Sequence, residues 1–109
     1  MAFTEVRSGP TALSTTVTLI HAGATSPTRT IVLFISLCNT NTSTVRSVSV
    51  YLESTTTGAA ADALLSAVPI TPNTTLIVRG PFMLASTEDI TAKQDVGTDV
   101  TMIVSGYEQ

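Results

Sequence analysis

Few side chains in this sequence could carry out chemistry. The chain has one histidine, His21, and one cysteine, Cys38, among its 109 residues. A catalytic histidine needs a nucleophile or a second acid–base group beside it, and zinc needs three or four protein ligands. The single cysteine also excludes an intrachain disulfide. We expect His21 to lie near the end of a strand, exposed or partly packed, and Cys38 to be a core thiol.

Four acidic residues offer another kind of site. Glu88 and Asp89 are adjacent, and Asp95 and Asp99 follow a short distance on. Calcium binds several carboxylate and carbonyl oxygens, so these residues could line a cation site, although their spacing is not that of an EF-hand. The other interpretation is ordinary carboxylates in hydrated loops, which we favour.

Enzyme motifs are absent from the sequence. It contains no G-x-S-x-G nucleophile elbow, no P-loop and no G-x-G-x-x-G. A glycosidase pair of carboxylates needs a deep cleft, and a sugar site needs aromatic rings, yet aromatic residues are 5% with no Trp. We therefore predict a protein that is not an enzyme, with no catalytic residues, no metal and no cofactor.

The composition indicates a surface that is covered by other proteins. Charged residues are only 12% of the chain, whereas 21 of the 109 residues are threonine. The net charge is −3. The basic residues are far apart, and nucleic-acid binding needs clustered cations, so we expect no direct contact with nucleic acid. They are Arg7, Arg29, Arg46, Arg79 and Lys93.

The hydrophobic residues recur with a period of two, which is typical of half-buried antiparallel strands. Val48, Val50 and Leu52 alternate with polar residues, for example. The run Thr30 to Leu37 is instead apolar on both faces. It indicates a central strand that is covered on both sides, or one that packs on a second subunit. Phe34, within it, is expected in the core or on the sheet face, and Phe34→Asp is expected to unfold the domain.

Turn residues divide the chain into eight predicted strands and one crossover. The Ala-rich segment Gly58 to Val68 has Leu64, Leu65 and Val68 at helical spacing, so we predict about two turns of helix there; a strand from Leu64 to Ile70 is the alternative. The predicted strands are Thr4–Arg7, Ser14–Ala22, Thr28–Cys38, Val45–Glu53, Thr74–Val78, Pro81–Leu84, Asp89–Ala92 and Asp99–Tyr107.

These elements predict an all-β fold. We expect one antiparallel β-sandwich, immunoglobulin-like or jelly-roll-like, with one short helical crossover. Residues 1–14 would form an N-terminal arm or an edge strand, and residues 15–109 the sandwich. The N-terminus has no signal-peptide pattern, and the longest apolar run, Ile31 to Cys38, is too short to span a bilayer. We therefore expect synthesis in the cytoplasm and no membrane contact.

One stretch carries a family resemblance. Between Ile31 and Leu52, Leu37-Cys38-Asn39-Thr40 leads through polar residues into Val48-Ser49-Val50-Tyr51-Leu52, and this resembles small virion proteins of tailed bacteriophages. The resemblance continues through Ile70, Pro72-Asn73-Thr74-Thr75, Gly80-Pro81-Phe82-Met83-Leu84, Asp89-Ile90-Thr91-Ala92 and Val104-Ser105-Gly106-Tyr107-Glu108. It covers the chain from about Ile31 onward and implies a sandwich fold with no catalytic residues.

The resemblance implies a structural role in a virion. The expected function is a capsid decoration or cement protein that is homo-oligomeric and binds the major capsid protein or other virion proteins. The alternatives are a ring component of the neck, tail or baseplate, or a carbohydrate-binding module on a fibre. We predict that the protein contacts are made by Ala2, Phe3, Thr4, Glu5, Val6, Arg7, Phe82, Met83 and Leu84, with Phe82 either a core plug or a partner anchor.

Overall fold

The computed structural model describes residues 3–25 and 28–109, which form two four-stranded antiparallel sheets. The position of Ala2, one of the predicted contact residues, lies outside the described residues. In the described ranges the strands are β1 (Thr4–Ala12), β2 (Thr18–His21), β3 (Thr30–Asn39), β4 (Arg46–Glu53), β5 (Ala63–Ile70), β6 (Thr74–Met83), β7 (Asp89–Gln94) and β8 (Val100–Glu108).

The strand order is that of a jelly roll. The first sheet has the order β1-β8-β3-β6 and the second β2-β7-β4-β5. Strands pair as β1 with β8, β2 with β7, β3 with β6 and β4 with β5, as in one long hairpin that is rolled into two layers. The predicted all-β antiparallel sandwich is confirmed, and this order selects the jelly-roll alternative.

The core lies between the two sheets and is aliphatic. The central strands β3 and β8 contribute side chains such as Ile35 and Met102, and β4 contributes Val48 and Val50, all with no exposed surface. Leu13, which follows β1, and Leu84, which follows β6, are also buried there. Alternate side chains face the core along most of each sheet, as the period of two predicted, with interruptions at irregularities in β3 and β5.

Two elements differ from the sequence expectations. The helical part of the crossover is a single 3-10 turn, Ala60–Asp62, and the following segment, predicted to be helical, is strand β5. The alternative, a strand from Leu64 to Ile70, describes this segment correctly. Thr74–Val78 and Pro81–Leu84, predicted as separate strands, are mostly one edge strand, β6, which continues through Gly80-Pro81 to Met83.

Candidate interaction face

On the side of the first sheet that points away from the core, the side chains of neighbouring strands line up in rows across the sheet. We call this side the outer face. Cross-strand pairing places its residues in four rows. In the order β1, β8, β3 and β6 the rows are Glu5, Tyr107, Ile31 and Met83; Arg7, Ser105, Phe34 and Arg79; then Ile103, Ser36 and Ile77, without a β1 member; then Ala12, Thr101, Cys38 and Thr75.

The outer face is apolar and open. Met83 is 53% exposed, Ile77 47% and Phe34 36%, although all three are large hydrophobic side chains. Phe3 is 61% exposed and extends the face, because its ring contacts that of Tyr107 edge-on with 5.8 Å between the centroids. An antiparallel sheet normally turns polar residues to solvent, so this face is the unusual one.

A β-bulge in β3 creates the apolar centre of the outer face. The pairing of β3 with β8 passes from Val32–Gly106 directly to Phe34–Ser105, so Leu33 is the extra residue. The bulge brings the β3 carbonyls against both neighbours: a Cβ on Gly80 would collide with the oxygen of Val32, and one on Gly106 with that of Ile31. Beyond the bulge Phe34 points outward while Ile35 is buried.

This register decides the position of Phe34 and corrects that of Cys38. Of the two positions expected for Phe34, the core and the sheet face, the structure gives the sheet face, with 36% of its surface exposed. Cys38 was expected in the core, but it is only half-buried on the outer face between Thr75 and Thr101, because its neighbours Leu37 and Asn39 take the inward positions. The expectation that Phe34→Asp unfolds the domain is therefore withdrawn.

The predicted contact residues divide between the two sides of the first sheet. Phe3, Glu5, Arg7 and Met83 are exposed on or beside the outer face, and Thr4 is also exposed. Val6 is half-buried on the inward side, opposite Gly106. Leu84 is only 2% exposed and belongs to the core, and the half-buried Phe82 packs against that core. Leu84 is therefore wrong as a surface contact of this chain, and Phe82 acts as the core plug.

Three outer-face residues were not predicted, namely Ile77, Ile103 and Tyr107. Leu33 and Phe34 belong to the run Thr30 to Leu37, for which packing on a second subunit was one of the two interpretations. The available signal was the apolar character of both alternating sets of β3 and β8. Ile103, for example, stands between the buried Met102 and Val104 and is itself hydrophobic. A strand with apolar residues on both sides has the same sequence pattern whether its second side is covered by another layer or faces solvent.

A shallow depression of about 470 Å³ lies on the outer face beside the bulge. Leu33 and Tyr107 form its apolar wall, and Glu5, Arg7 and Ser105 its polar one. It could accept a protruding apolar side chain of another protein next to a carboxylate.

The outer side of the second sheet is different, because it is polar and partly covered. Glu53, 4% exposed, accepts hydrogen bonds from the Thr91 hydroxyl at 2.6 Å and from the Gly58 backbone N–H at 2.9 Å. The carboxylate thereby fastens residues 54–62 over the sheet, and Gly58 comes close to Tyr51 and Val17. Burial alone raises the pKa of Glu53, but the hydrogen bonds outweigh it and lower the pKa.

A polar cluster closes one end of the sandwich around Asp99. Its carboxylate accepts hydrogen bonds from Nε of Arg46 at 2.9 Å, from Nδ2 of Asn41 at 2.8 Å and from Nε2 of Gln94 at 2.8 Å. These bonds hold the pKa of Asp99 well below its usual range, the Arg46 bond contributing most, and raise that of Arg46. The cluster joins β4, β7 and β8 and the turn after β3, so its role is structural.

The proposed calcium ligands are not brought together. Glu88 and Asp89 lie at the start of β7, and Asp95 and Asp99 lie beyond its end, where both accept hydrogen bonds from protein groups. Within residues 3–25 and 28–109, no three His, Cys, Asp or Glu side chains are placed to hold a metal ion. These carboxylates accept hydrogen bonds from backbone N–H groups of nearby loops: Asp89 from Gly23 and Glu88 from Ala85.

His21 lies deeper than expected. It is 9% exposed, its Nδ1 is 2.6 Å from the Ser8 hydroxyl, and its Nε2 is 3.9 Å from the Glu108 carboxylate. This serine, histidine and carboxylate set lies where β1 and β2 meet. The depression on the outer face does not reach it, and Nε2 has no hydrogen-bond partner among the described residues. The set links the two sheets.

The comparisons with known proteins return no relatives. No family model matches the chain, and no match is found among the curated proteins or the solved structures. In the described part of the chain, no helix has the length and apolar character needed to cross a bilayer. The functional argument therefore rests on the outer face and on the strand order.

Proposed function

We propose that the protein is a non-enzymatic structural component of a tailed-phage virion, a capsid decoration protein that binds neighbouring proteins through the outer face. The observation that carries this proposal is the contrast between the two sheets. The first sheet exposes Phe34, Ile77 and Met83, whereas the outer side of the second sheet is mostly polar and is partly covered by residues 54–62.

The size of the outer face supports an interface. Four strands about 4.8 Å apart and ten residues of about 3.3 Å each give a flat area of roughly 600 Å². Because side chains roughen that area, it approaches the roughly 800 Å² that each partner buries in a standard stable complex. Apolar burial at about 25 cal/mol per Å² is then the main favourable term, reduced by the cost of association.

The sheet edges favour binding through a face over strand addition. Edge strands β1 and β6 contain Pro10 and Pro81, and Pro lacks the N–H that a new strand would need. Edge strand β5 contains Pro69, and β2 is four residues long. The described edges are thus short or interrupted, as in sheets protected from edge pairing. We therefore assign adhesion to the outer face.

The assignment to a virion rests on the resemblance of the segment from Ile31 onward and on the strand order. Jelly rolls are common in viral capsid and lectin domains, although a fold alone does not define a function. Decoration proteins bind in many copies on a fixed lattice, so individually modest contacts add up through multivalency. A neck, tail or baseplate ring would use the same face with a different symmetry.

The test is the copy number of the protein in purified particles of the source virus. Hundreds of copies support a decoration protein, whereas about a dozen or fewer place it in the neck or tail. Absence from the particles overturns the proposal, and a positive glycan array would then favour a carbohydrate-binding module.

A matched pair of variants tests the role of the outer face in those particles. Ile77 on the outer face and Leu19 on the second sheet are 47% and 46% exposed. Ile77→Glu should reduce retention in particles at least tenfold, while Leu19→Glu should be retained like the parent. Equal retention of both variants would remove the outer face from the proposal.

A further inference from the structure

The outer face and the rest of the chain have opposite charge. The outer face carries Arg7 and Arg79, with Arg29 at its border beside Met83, against the single acid Glu5, which gives a formal charge of +2. The other seven acidic and two basic residues give the remainder a formal charge of −5, in keeping with the total of −3. An acidic protein thus presents a basic, apolar face.

The arginines of the outer face are available to a partner. Within the described residues, no carboxylate forms an ion pair with Arg7, Arg29 or Arg79, all of which are exposed. Arg46, by contrast, is paired with Asp99 at 2.9 Å. A surface that combines apolar side chains with a carboxylate would complement this face in both respects.

The chain itself contains such a surface. We call it the tip: Val45, which precedes β4, and Asp95 and Val96, which follow β7. The two segments meet where the backbone N–H of Asp95 donates to the Ser47 oxygen at 2.9 Å. Val96 is 58% exposed and Val45 45%. Asp95 is exposed, and its carboxylate is held by the backbone N–H groups of Ser47 and Val96, so its position is fixed.

The distribution of exposed hydrophobic residues singles out the same two surfaces. Eight large hydrophobic side chains are exposed in the described part of the chain. Five lie on or beside the outer face and two on the tip, and the remaining one is Leu19. The tip adds the carboxylate of Asp95. Beside it the charges of Arg46 and Asp99 neutralise each other, and Lys93 lines the same depression as Asp95 on the side of the second sheet.

We infer that the tip of one copy docks on the outer face of the next, in a head-to-tail contact between copies of this chain. A face-to-face pair would place one +2 surface on another, whereas the head-to-tail contact places Asp95 among unpaired arginines. A contact of this kind closes into a ring or continues as a filament. The inference deepens the proposed function, on which it rests for the role of the outer face.

The association itself is tested with the purified protein by sedimentation velocity over a wide range of concentration. We expect species heavier than the 11.3 kDa chain to grow with concentration. Raising the salt from about 0.05 M to about 0.5 M should weaken them several-fold, because exposed charges are then screened within a few Å. A protein that stays monomeric under all conditions would overturn the inference. Binding of the basic outer face to vesicles of anionic lipid would not rescue it, because the inference names a second copy of the chain as the partner.

A mixing experiment tests the orientation of the contact. The face variant carries Ile77→Glu and Met83→Glu, and the tip variant carries Asp95→Asn and Val96→Lys. Asn retains the oxygen that accepts the backbone hydrogen bonds, and unchanged thermal unfolding of each variant shows that it is folded. Each variant alone should be monomeric. Their mixture should form a complex of twice the 11.3 kDa chain mass and no larger, because each supplies one intact partner surface.

The outcomes separate this inference from the proposed function. Dimerisation of the tip variant alone would show a face-to-face contact and overturn the inference. Leu19→Glu, the matched control, should assemble like the parent, and if it blocked assembly the inference would also fail. A protein that is monomeric in solution yet abundant in particles would leave the proposed function intact, whereas self-assembly without particle association would overturn only the function.

Discussion

The hydroxyl of Ser8 lies 2.6 Å from Nδ1 of His21, and this contact connects the edge strand of one sheet to the edge strand of the other. A hydrogen bond between two sheets must compensate for the burial of both groups. The other ring nitrogen, Nε2, lies 3.9 Å from Glu108 and has no hydrogen bond among the described residues. The Ser8 hydroxyl therefore provides the hydrogen bond of the imidazole, at Nδ1.

Removal of the Ser8 hydroxyl should therefore destabilise the fold. Ser8→Ala leaves Nδ1 of His21 buried without a partner and should lower the free energy of unfolding by about 1–3 kcal/mol. Ser8→Ala combined with His21→Leu should cost less than the two single changes together, since both polar partners are then gone. Urea unfolding of the four proteins gives this comparison. Additive losses would show that the two residues are not coupled.

Glu53 is predicted to hold residues 54–62 on the second sheet. Oε2 of Glu53 accepts hydrogen bonds from Thr91 and Gly58, and Oε1 accepts one from the Thr57 hydroxyl. Glu53→Gln replaces one of these oxygens by an NH₂ group, which cannot accept, so bonds to one of the two oxygens are lost in either orientation of the amide. We expect a loss of about 1–3 kcal/mol in unfolding free energy and faster proteolysis within residues 54–62. Asp62→Asn, an exposed acid in the same crossover, is the control and should behave like the parent.

The lowered pKa values of Glu53 and Asp99 predict loss of stability in acid. A carboxyl group whose pKa is lower in the folded state contributes stability above its unfolded pKa, about 4, and loses it as the pH falls towards the folded pKa. The free energy of unfolding should thus be flat from pH 7 to about pH 5 and fall below about pH 4. Asp99→Asn should reduce that fall, measured by urea titration at each pH.

Adjacent residues of β3 should respond in opposite ways to the same change. Phe34→Asp should leave a folded protein, with a loss of about 1–2 kcal/mol from reduced apolar contact, because the side chain faces solvent. Ile35→Asp should unfold the chain, because it places a charge at a position with no exposed surface. Circular dichroism and thermal unfolding distinguish the two, and unfolding by Phe34→Asp would contradict the position of the bulge.

The bulge also explains how far the sequence could predict the structure. Strand alternation, turn residues and the apolar β3 run are local signals, and they predicted the two-layer sheet fold. One extra residue at Leu33 exchanges the inward and outward sets of β3 beyond it, so Cys38, expected in the core, lies on the outer face. The bulge also decides between the two positions expected for Phe34, in favour of the sheet face. The bulge depends on close approach at Gly80 and Gly106, which are distant in sequence, so the local pattern could not show it.

Strand β5 was only the alternative to a helix for a related reason. Its pairing with β4 shifts register twice, and Ala67 adopts a φ of 48°, so the expected alternation is broken and helical spacing remains in the sequence. The outer face was only partly predicted. The sequence shows that β3 and β8 have apolar residues on both sides, but which side is exposed depends on how the sheets pack. Phe3, Arg7 and Met83 were identified, whereas Ile77 and Tyr107 were not.

The nested pairing of the strands has a consequence for synthesis on the ribosome. Strand β8 lies between β1 and β3, so the first sheet cannot close until residues 100–108 have left the exit tunnel. Until then the apolar strand β3 has no hydrogen-bonded neighbour on the edge that β8 later occupies, and such unpaired strand edges are prone to aggregation. The nascent chain should therefore complete its fold only after β8 has left the exit tunnel, and its yield should depend on how quickly β8 pairs with β1 and β3.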